Sequence, residues 1–111
     1  MATAKIMLKT RRFIYAVFMC HLASEKLLKG LYAKKTGQNP PKTHDLVFLT
    51  SLTGINLPIE LKDFIDYLNG LSVPTRYPDE LAKLLKEYTQ KRTTEIVLKT
   101  QKLLLWLKKN C

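Results

Sequence analysis

The sequence predicts an all-α protein, an up-and-down antiparallel bundle of four to five helices. Glycine and proline stand at only a few places in the chain, and apolar residues between them recur at helical spacing. No segment has the strict apolar and polar alternation of a half-buried strand. A length of 111 residues suits one modest hydrophobic core. We therefore expect one helical domain over residues 1–111.

The first two helical segments are a short one at residues 2–9 and a long one at about residues 12–35. Residues 13–23 are apolar nearly all round, which is typical of a central helix with neighbours on several sides. Cys20 lies in this stretch and is expected to be a small core residue. Gly37 suits the position just past the end of the long helix.

Three further segments follow. Residues 43–52 are predicted to form a helix with Thr43 as its N-cap. Pro58 begins the next helix, whose apolar residues share one face. These residues are Leu61, Phe64, Ile65, Leu68 and Leu71. The connector SVPTRYPD, residues 72–79, leads into a last helix that we expect to run without a break from Asp79 to Lys109.

Positive charge dominates the chain and is distributed unevenly. The net charge is +10, with nine Lys or Arg and one acid in residues 1–44 and eight bases and two acids in residues 81–111. Residues 45–80 carry six acids and two bases. If the two basic ends share one face, they form an electrostatic footprint for a polyanion. The alternative is that these lysines are simply solvated.

Several classes of protein do not fit the sequence. No apolar run approaches the roughly 20 residues that span a bilayer, and no signal-peptide pattern is seen. Cys20 and Cys111 do not make a disulfide framework, so we expect a soluble cytoplasmic protein. No glycine-rich phosphate loop or Ser-His-Asp arrangement is present. No pair among Cys20, His21, His44 and Asp45 has metal-ligand spacing, so we expect no metal, and no motif of this sequence indicates a cofactor or a catalytic residue.

Three polar residues interrupt the apolar long helix on one stripe. His21, Glu25 and Lys29 are spaced i, i+4 and i+8. One interpretation is a polar site in which His21 acts as an acid or base or contacts a phosphate. The other is a structural interhelical hydrogen bond with a Glu–Lys ion pair. His44, at the start of a later helix, is expected to be exposed.

Arg76 is the most suggestive single residue of the connector. Pro74 and Pro78 flank it and limit the backbone freedom that is lost when its guanidinium is held in place. An arginine beside a helix N-terminus suits a phosphate group. The alternative is an ion pair with Asp79 or Glu80, and the sequence pattern favours neither.

Taken together, these segments resemble one known family. The stretches FMCHLASEKLLKGLYAKKTG, PPKTHDLVFL and SVPTRYPDEL, in this order, resemble the HEPN domains of bacteria and archaea over about residues 13–107. The resemblance implies a helical bundle that commonly forms homodimers and is often encoded beside a minimal nucleotidyltransferase. It also implies binding of nucleotides or RNA, in many cases within a toxin–antitoxin pair.

The resemblance also suggests site residues. His21, Glu25 and Lys26 match the H…EK motif of the family, and residues 75–78 match its TRYP motif. The RNA-cleaving branch places a histidine four to six residues after an arginine, whereas no histidine follows Arg76. The resemblance therefore implies a non-catalytic binding module, with a ribonuclease of non-standard site or a purely structural dimer as alternatives. The expected nucleotide- or phosphate-binding residues are His21, Glu25, Lys26, Lys29, Arg76 and Tyr77.

Overall fold

The computed structural model describes residues 13–71, 80, 83 and 89–110. Within the described residues, four helices have defined bounds: α1 (Phe13–Thr36), α2 (Leu46–Thr53), α3 (Ile59–Leu71) and α4 (Gln90–Asn110). These described residues include no strand, which confirms the predicted all-α bundle. None of the helices among them is both long enough and apolar enough to cross a membrane. The predicted segment at residues 2–9 and the connector at 72–79 lie outside the described residues.

Helix α1 supplies the centre of the core, as its apolar composition predicts. Ile14, Val17 and Cys20 are buried among apolar side chains from the other three helices. Burial raises the pKa of the Cys20 thiol to about 11, although a hydrogen bond with Thr100 acts in the opposite direction. The helix ends at Gly37, whose φ of 68° only glycine adopts readily.

Helix α2 begins three residues later than predicted, and Asp45 rather than Thr43 is its N-cap. Asp45 has an extended backbone, and its Oδ1 accepts a hydrogen bond of 3.1 Å from the amide of Phe48. Thr43 lies outside the helix and accepts a bond of 3.1 Å from the amide of Asp45. Both residue types cap helices well, but aspartate also places a negative charge at the positive end of the helix dipole.

Two side chains of α1 hold the two ends of α2. His44, just before α2, contacts Glu25, and Lys35 donates a 2.8 Å hydrogen bond to the carbonyl of Thr53 in the last turn. A cation at the carboxyl end of a helix also interacts favourably with the helix dipole. Since Glu25 precedes Lys35 in α1, these two contacts show that α2 runs in the same direction as α1.

Two further helix pairs, α2 with α3 and α3 with α4, are antiparallel. Asn69, near the end of α3, accepts a 2.8 Å hydrogen bond from the amide of Leu46 at the start of α2. Tyr67 accepts two hydrogen bonds from the guanidinium of Arg92 at the start of α4, at 2.9 and 3.2 Å. The antiparallel part of the prediction therefore describes α2 with α3 and α3 with α4. Helix α2 is parallel to α1, in contrast to the predicted antiparallel arrangement, because residues 37–45 return along α1.

The predicted unbroken helix from Asp79 to Lys109 is wrong. Thr89 is not helical, and α4 starts at Gln90. The hydroxyl oxygen of Thr89 accepts a 3.2 Å hydrogen bond from the amide of Arg92, as an N-cap does. A β-branched residue with a hydroxyl is a poor interior helix residue and a good cap, which explains why α4 starts after Thr89. From this point α4 packs against α1.

Candidate functional site

A buried carboxylate lies where α1 meets the segment before α2. Glu25 is only 5% exposed. Its Oε2 accepts a 3.1 Å hydrogen bond from Nζ of Lys29, and its Oε1 lies 2.7 Å from Nδ1 of His44. With the proton of His44 on Nδ1, this nitrogen donates to the carboxylate. Both carboxylate oxygens are therefore occupied by basic side chains.

These contacts keep Glu25 ionised despite its burial. Burial alone acts to raise the pKa of this carboxyl group, because a charged group loses its hydration. The hydrogen bonds from His44 and Lys29 outweigh burial and lower the pKa below its ordinary value of 4.5. The site thus contains a negative charge at neutral pH, which holds the side chains of Lys29 and His44 in place.

His21 lies on the inner side of the same carboxylate and is only 1% exposed. Its Nδ1 is 3.9 Å from Oε1 of Glu25, too far for a hydrogen bond, and this buried nitrogen has no hydrogen-bond partner. Burial lowers the pKa of His21, with a further lowering from His44 that Glu25 opposes. His21 is therefore neutral at pH 7, with one unsatisfied nitrogen facing the cluster.

The sequence forms this site by combining helix periodicity with one loop. His21, Glu25 and Lys29 share a stripe because four residues make about one turn of α1. His44 reaches Glu25 because Asp45 caps α2 and also accepts a 3.1 Å hydrogen bond from Nδ2 of Asn69 in α3. Three helices therefore determine where the ring of His44 lies.

The structure brings together three of the six residues that the sequence suggests. His21, Glu25 and Lys29 meet in this cluster, whereas Lys26 is exposed and makes no hydrogen bond or ion pair with the other described residues. Arg76 and Tyr77 lie outside the described residues. The Glu–Lys pair expected from the structural interpretation is present, but the interhelical hydrogen bond comes from His44 and not from His21.

His44 is the residue that sequence reasoning missed. It lies 19 positions from Glu25, and no local spacing joins the two. The expectation that it is exposed is met, since 53% of its side chain is accessible, yet its inner nitrogen is bound to Glu25. The only signal in the sequence was its position before a helix start, beside the capping aspartate.

The cluster presents two basic groups to solvent. His44 is half exposed, and 23% of the Lys29 side chain is accessible. Glu25 beneath them is almost covered, so an approaching ligand meets the donors first. Lys29 offers ammonium N–H groups to an anion such as a phosphate group, and His44, whose Nδ1–H is bound to Glu25, donates from Nε2 only as an imidazolium. Across the described part of the chain, no three His, Cys, Asp or Glu side chains converge on a possible metal position.

The family model of the HEPN domain matches residues 1–110, and the chain belongs to this family. HEPN domains are generally modules that bind RNA or cleave it. The match covers the cluster as well as the motif residues Arg76 and Tyr77. Neither a curated protein nor a solved structure shows significant similarity to the chain.

Proposed function

We propose that this HEPN protein is a non-catalytic module that binds a phosphate group of a nucleotide or RNA at the surface above Glu25. Lys29 and His44 contact the anion, Lys26 adds positive charge, and Arg76 and Tyr77 complete the site from the connector. The module forms a homodimer and pairs with a minimal nucleotidyltransferase in a cytoplasmic toxin–antitoxin-like system. Membership of the HEPN family supports the partner and the ligand class.

One observation carries the ligand proposal. Glu25 is buried, ionised and fully engaged, so its role is to position Lys29 and His44 rather than to contact an anion. A structural ion pair on α1 needs only Lys29. The recruitment of a histidine from a distant segment, with more than half of its ring exposed, is better explained by a binding surface.

The ribonuclease alternative places an acid or base on His21, and the geometry disfavours it. General acid–base catalysis needs a hydrogen bond between the side chain and the reacting group. His21 is only 1% exposed and lies behind Glu25, so a ribose hydroxyl cannot reach it without displacing the cluster. The absence of a histidine after Arg76 also argues against ribonuclease activity of the family type.

Equilibrium titration of ATP, GTP and a short single-stranded RNA into the purified protein tests the proposal. Binding should weaken about tenfold in each of Lys29→Gln, His44→Gln and Arg76→Ala, since a hydrogen bond to a charged group contributes about 1.5 kcal/mol or more. The matched control is Lys102→Gln, because this exposed lysine pairs with Glu60 in α3. Lys102→Gln should bind ATP and GTP as the wild type does.

Two results would count against the proposal. Absence of binding to all three ligands at low salt would leave only the protein-partner role. Cleavage of transfer or messenger RNA by the wild type, lost in His21→Ala, would favour the ribonuclease. A minimal nucleotidyltransferase in the adjacent reading frame, and its co-purification with this protein, would test the partner separately.

A further inference from the structure

The longest stretch without a charged residue in the chain is residues 46–59, which contain no Lys, Arg, Asp or Glu. The stretch includes α2, and its outward positions are apolar or hydroxylated. Val47, Phe48 and Leu52 are all exposed. On a protein with a net charge of +10, an uncharged exposed helix face is unusual, and such patches mark interaction sites.

A groove adjoins this face and shares Val47 with it. The groove has a volume of about 370 Å³ and lies between α2 and α3. Ile55, Leu57 and Ile65 form its apolar lining, and Lys62 and Asp66, one turn apart on α3, lie at its charged side. We call α2 and this groove together the α2 surface. It therefore combines a protruding aromatic side chain, Phe48, with an apolar recess.

The hydroxyl groups of α2 already donate hydrogen bonds to carbonyl groups of the same helix. Thr50 Oγ1 donates to the carbonyl of Leu46 at 2.8 Å, and Ser51 Oγ donates to that of Phe48 at 2.6 Å. Thr53 Oγ1 likewise donates to the carbonyl of Thr50 at 2.7 Å. Because each hydroxyl proton already has an acceptor within the helix, covering this face leaves none of these three hydroxyl donors unsatisfied.

We infer that the α2 surface is where two copies of this chain associate about a two-fold axis. The inference rests on the self-association in the proposed function and adds the surface that mediates it. Two copies that each carry +10 repel one another, so a stable contact must exclude like charges, and residues 46–59 do so. A two-fold axis makes the same surface face itself, so Phe48 of each copy enters the groove of the other.

The two charged residues beside the groove, Lys62 and Asp66, can also pair across a two-fold axis. Lys62 of one copy lies opposite Asp66 of the partner subunit, and the symmetry repeats the pair. Within the described residues of one chain, neither Lys62 nor Asp66 has an ion-pair partner. A two-fold contact thus pairs two charges on each copy that are otherwise unpaired, and it leaves the basic helix α4 free to meet an anion.

Sedimentation velocity over a concentration series tests the inference on the full chain. We expect the wild type to dimerise and Phe48→Glu to raise the dimer dissociation constant by about 30-fold or more, the size of a hot-spot loss. Leu105→Glu is the matched control, since Leu105 is an exposed leucine on α4 and lies outside the α2 surface. It should leave the dissociation constant unchanged, and circular dichroism should show that both variants fold.

A charge exchange checks the symmetry independently of Phe48. Lys62→Asp and Asp66→Lys should each weaken the dimer, whereas the double variant should restore it. A wild type that stays monomeric at the highest concentration overturns self-association, as does association only with an added nucleotidyltransferase. A dimer that survives Phe48→Glu, or a double variant that is not restored, overturns the α2 surface alone. None of these results affects the ligand titration, so failure here is distinguishable from failure of the proposed site.

Discussion

At the scale of single residues, Glu25 connects two segments that are distant in the sequence. It accepts from Lys29 within α1 and from His44 before α2, and both bonds involve charged groups. A carboxylate that is almost completely covered depends on such partners, because an unpaired buried charge is costly. The same residue therefore contributes to stability and orients the proposed ligand contacts.

Replacing Glu25 with glutamine should destabilise the fold by about 1–3 kcal/mol, because the neutral amide keeps the shape but loses two charge-assisted hydrogen bonds. Urea denaturation at pH 7 measures this change. Lys26→Gln serves as the control, since Lys26 is exposed beside Glu25, and it should change the stability by less than about 0.5 kcal/mol. Equal effects of the two substitutions would show that the cluster is not a stabilising element.

The buried histidine makes stability depend on pH. The pKa of His21 is lowered in the folded state from an ordinary value of 6.5, mainly by burial. As the pH falls below 6.5, the unfolded chain takes up a proton that folded His21 does not, so this residue reduces stability. Above about pH 7.5, His21 is neutral in both the folded and the unfolded state. It then makes no contribution to the change of the free energy of unfolding with pH.

We therefore expect the free energy of unfolding to fall between pH 7 and pH 5 in the wild type and to fall less in His21→Gln. The two proteins are compared by the change of the free energy of unfolding with pH and not by its absolute value, because the substitution also changes packing at a buried position. Glu25 contributes a separate loss only at lower pH, since its folded-state pKa lies below 4.5. Parallel pH profiles of the two proteins between pH 5 and 7 would contradict the assignment of a buried neutral His21.

At the scale of elements, the stability and the position of α2 depend on the neighbouring helices α1 and α3. It has eight residues, far fewer than an isolated helix needs to be stable in water. Asp45 caps its first turn and is itself bound to Asn69 of α3, while Lys35 of α1 binds the carbonyl of Thr53 in the last turn. The position of α2, and with it that of His44, is therefore set by α1 and α3.

Asp45→Ala should destabilise the protein by about 1–2 kcal/mol, because it removes the helix cap and the bond from Asn69. It should also weaken ligand binding by loosening His44. Thermal denaturation and the ATP titration measure the two effects. Thr43→Ala is the matched comparison and should cost less, since Thr43 lies outside the helix and accepts only from the amide of Asp45. An equal loss for both would restore Thr43 as the cap.

The sequence predicts what depends on local spacing and misses what depends on the path of a loop. The stripe of His21, Glu25 and Lys29 follows from helix periodicity alone. The contact of His44 with Glu25 requires residues 37–45 to return along α1, and no periodicity encodes this course. The start of α4 after Thr89 was missed because apolar spacing continues across this position, while the competing signal is one capping side chain.

At the scale of the whole molecule, two lysine-bearing helices are neighbours. Helices α1 and α4, which both carry exposed lysines, pack against each other. The acidic residues 45–80 include α3, where Asp63 and Asp66 are exposed. Helix α3 also lies beside α4, where Lys102 pairs with Glu60, so charges that are separate in the sequence meet at this point in the fold.

Affinity for single-stranded RNA should fall steeply with salt, with a slope of about −0.7 in log affinity against log salt for each phosphate neutralised. A variant with Lys99, Lys108 and Lys109 replaced by glutamine should show weaker binding and a shallower slope, because fewer counterions are released. Asp63→Asn should have the opposite effect at low salt. Unchanged slopes in the lysine variant would exclude α4 from the contact, and fluorescence anisotropy across a salt series measures all three proteins.

The inaccessible thiol of Cys20 has a practical consequence for observing how the bundle opens. At pH 8, a thiol with a pKa of about 11 is about one thousandth thiolate, and Cys20 is also fully covered between α1 and α4. In a Cys111→Ser variant, a thiol reagent should therefore react only when the two helices separate. The labelling rate then reports that opening event directly, and saturation of the site with ligand should slow it if binding stabilises the closed bundle.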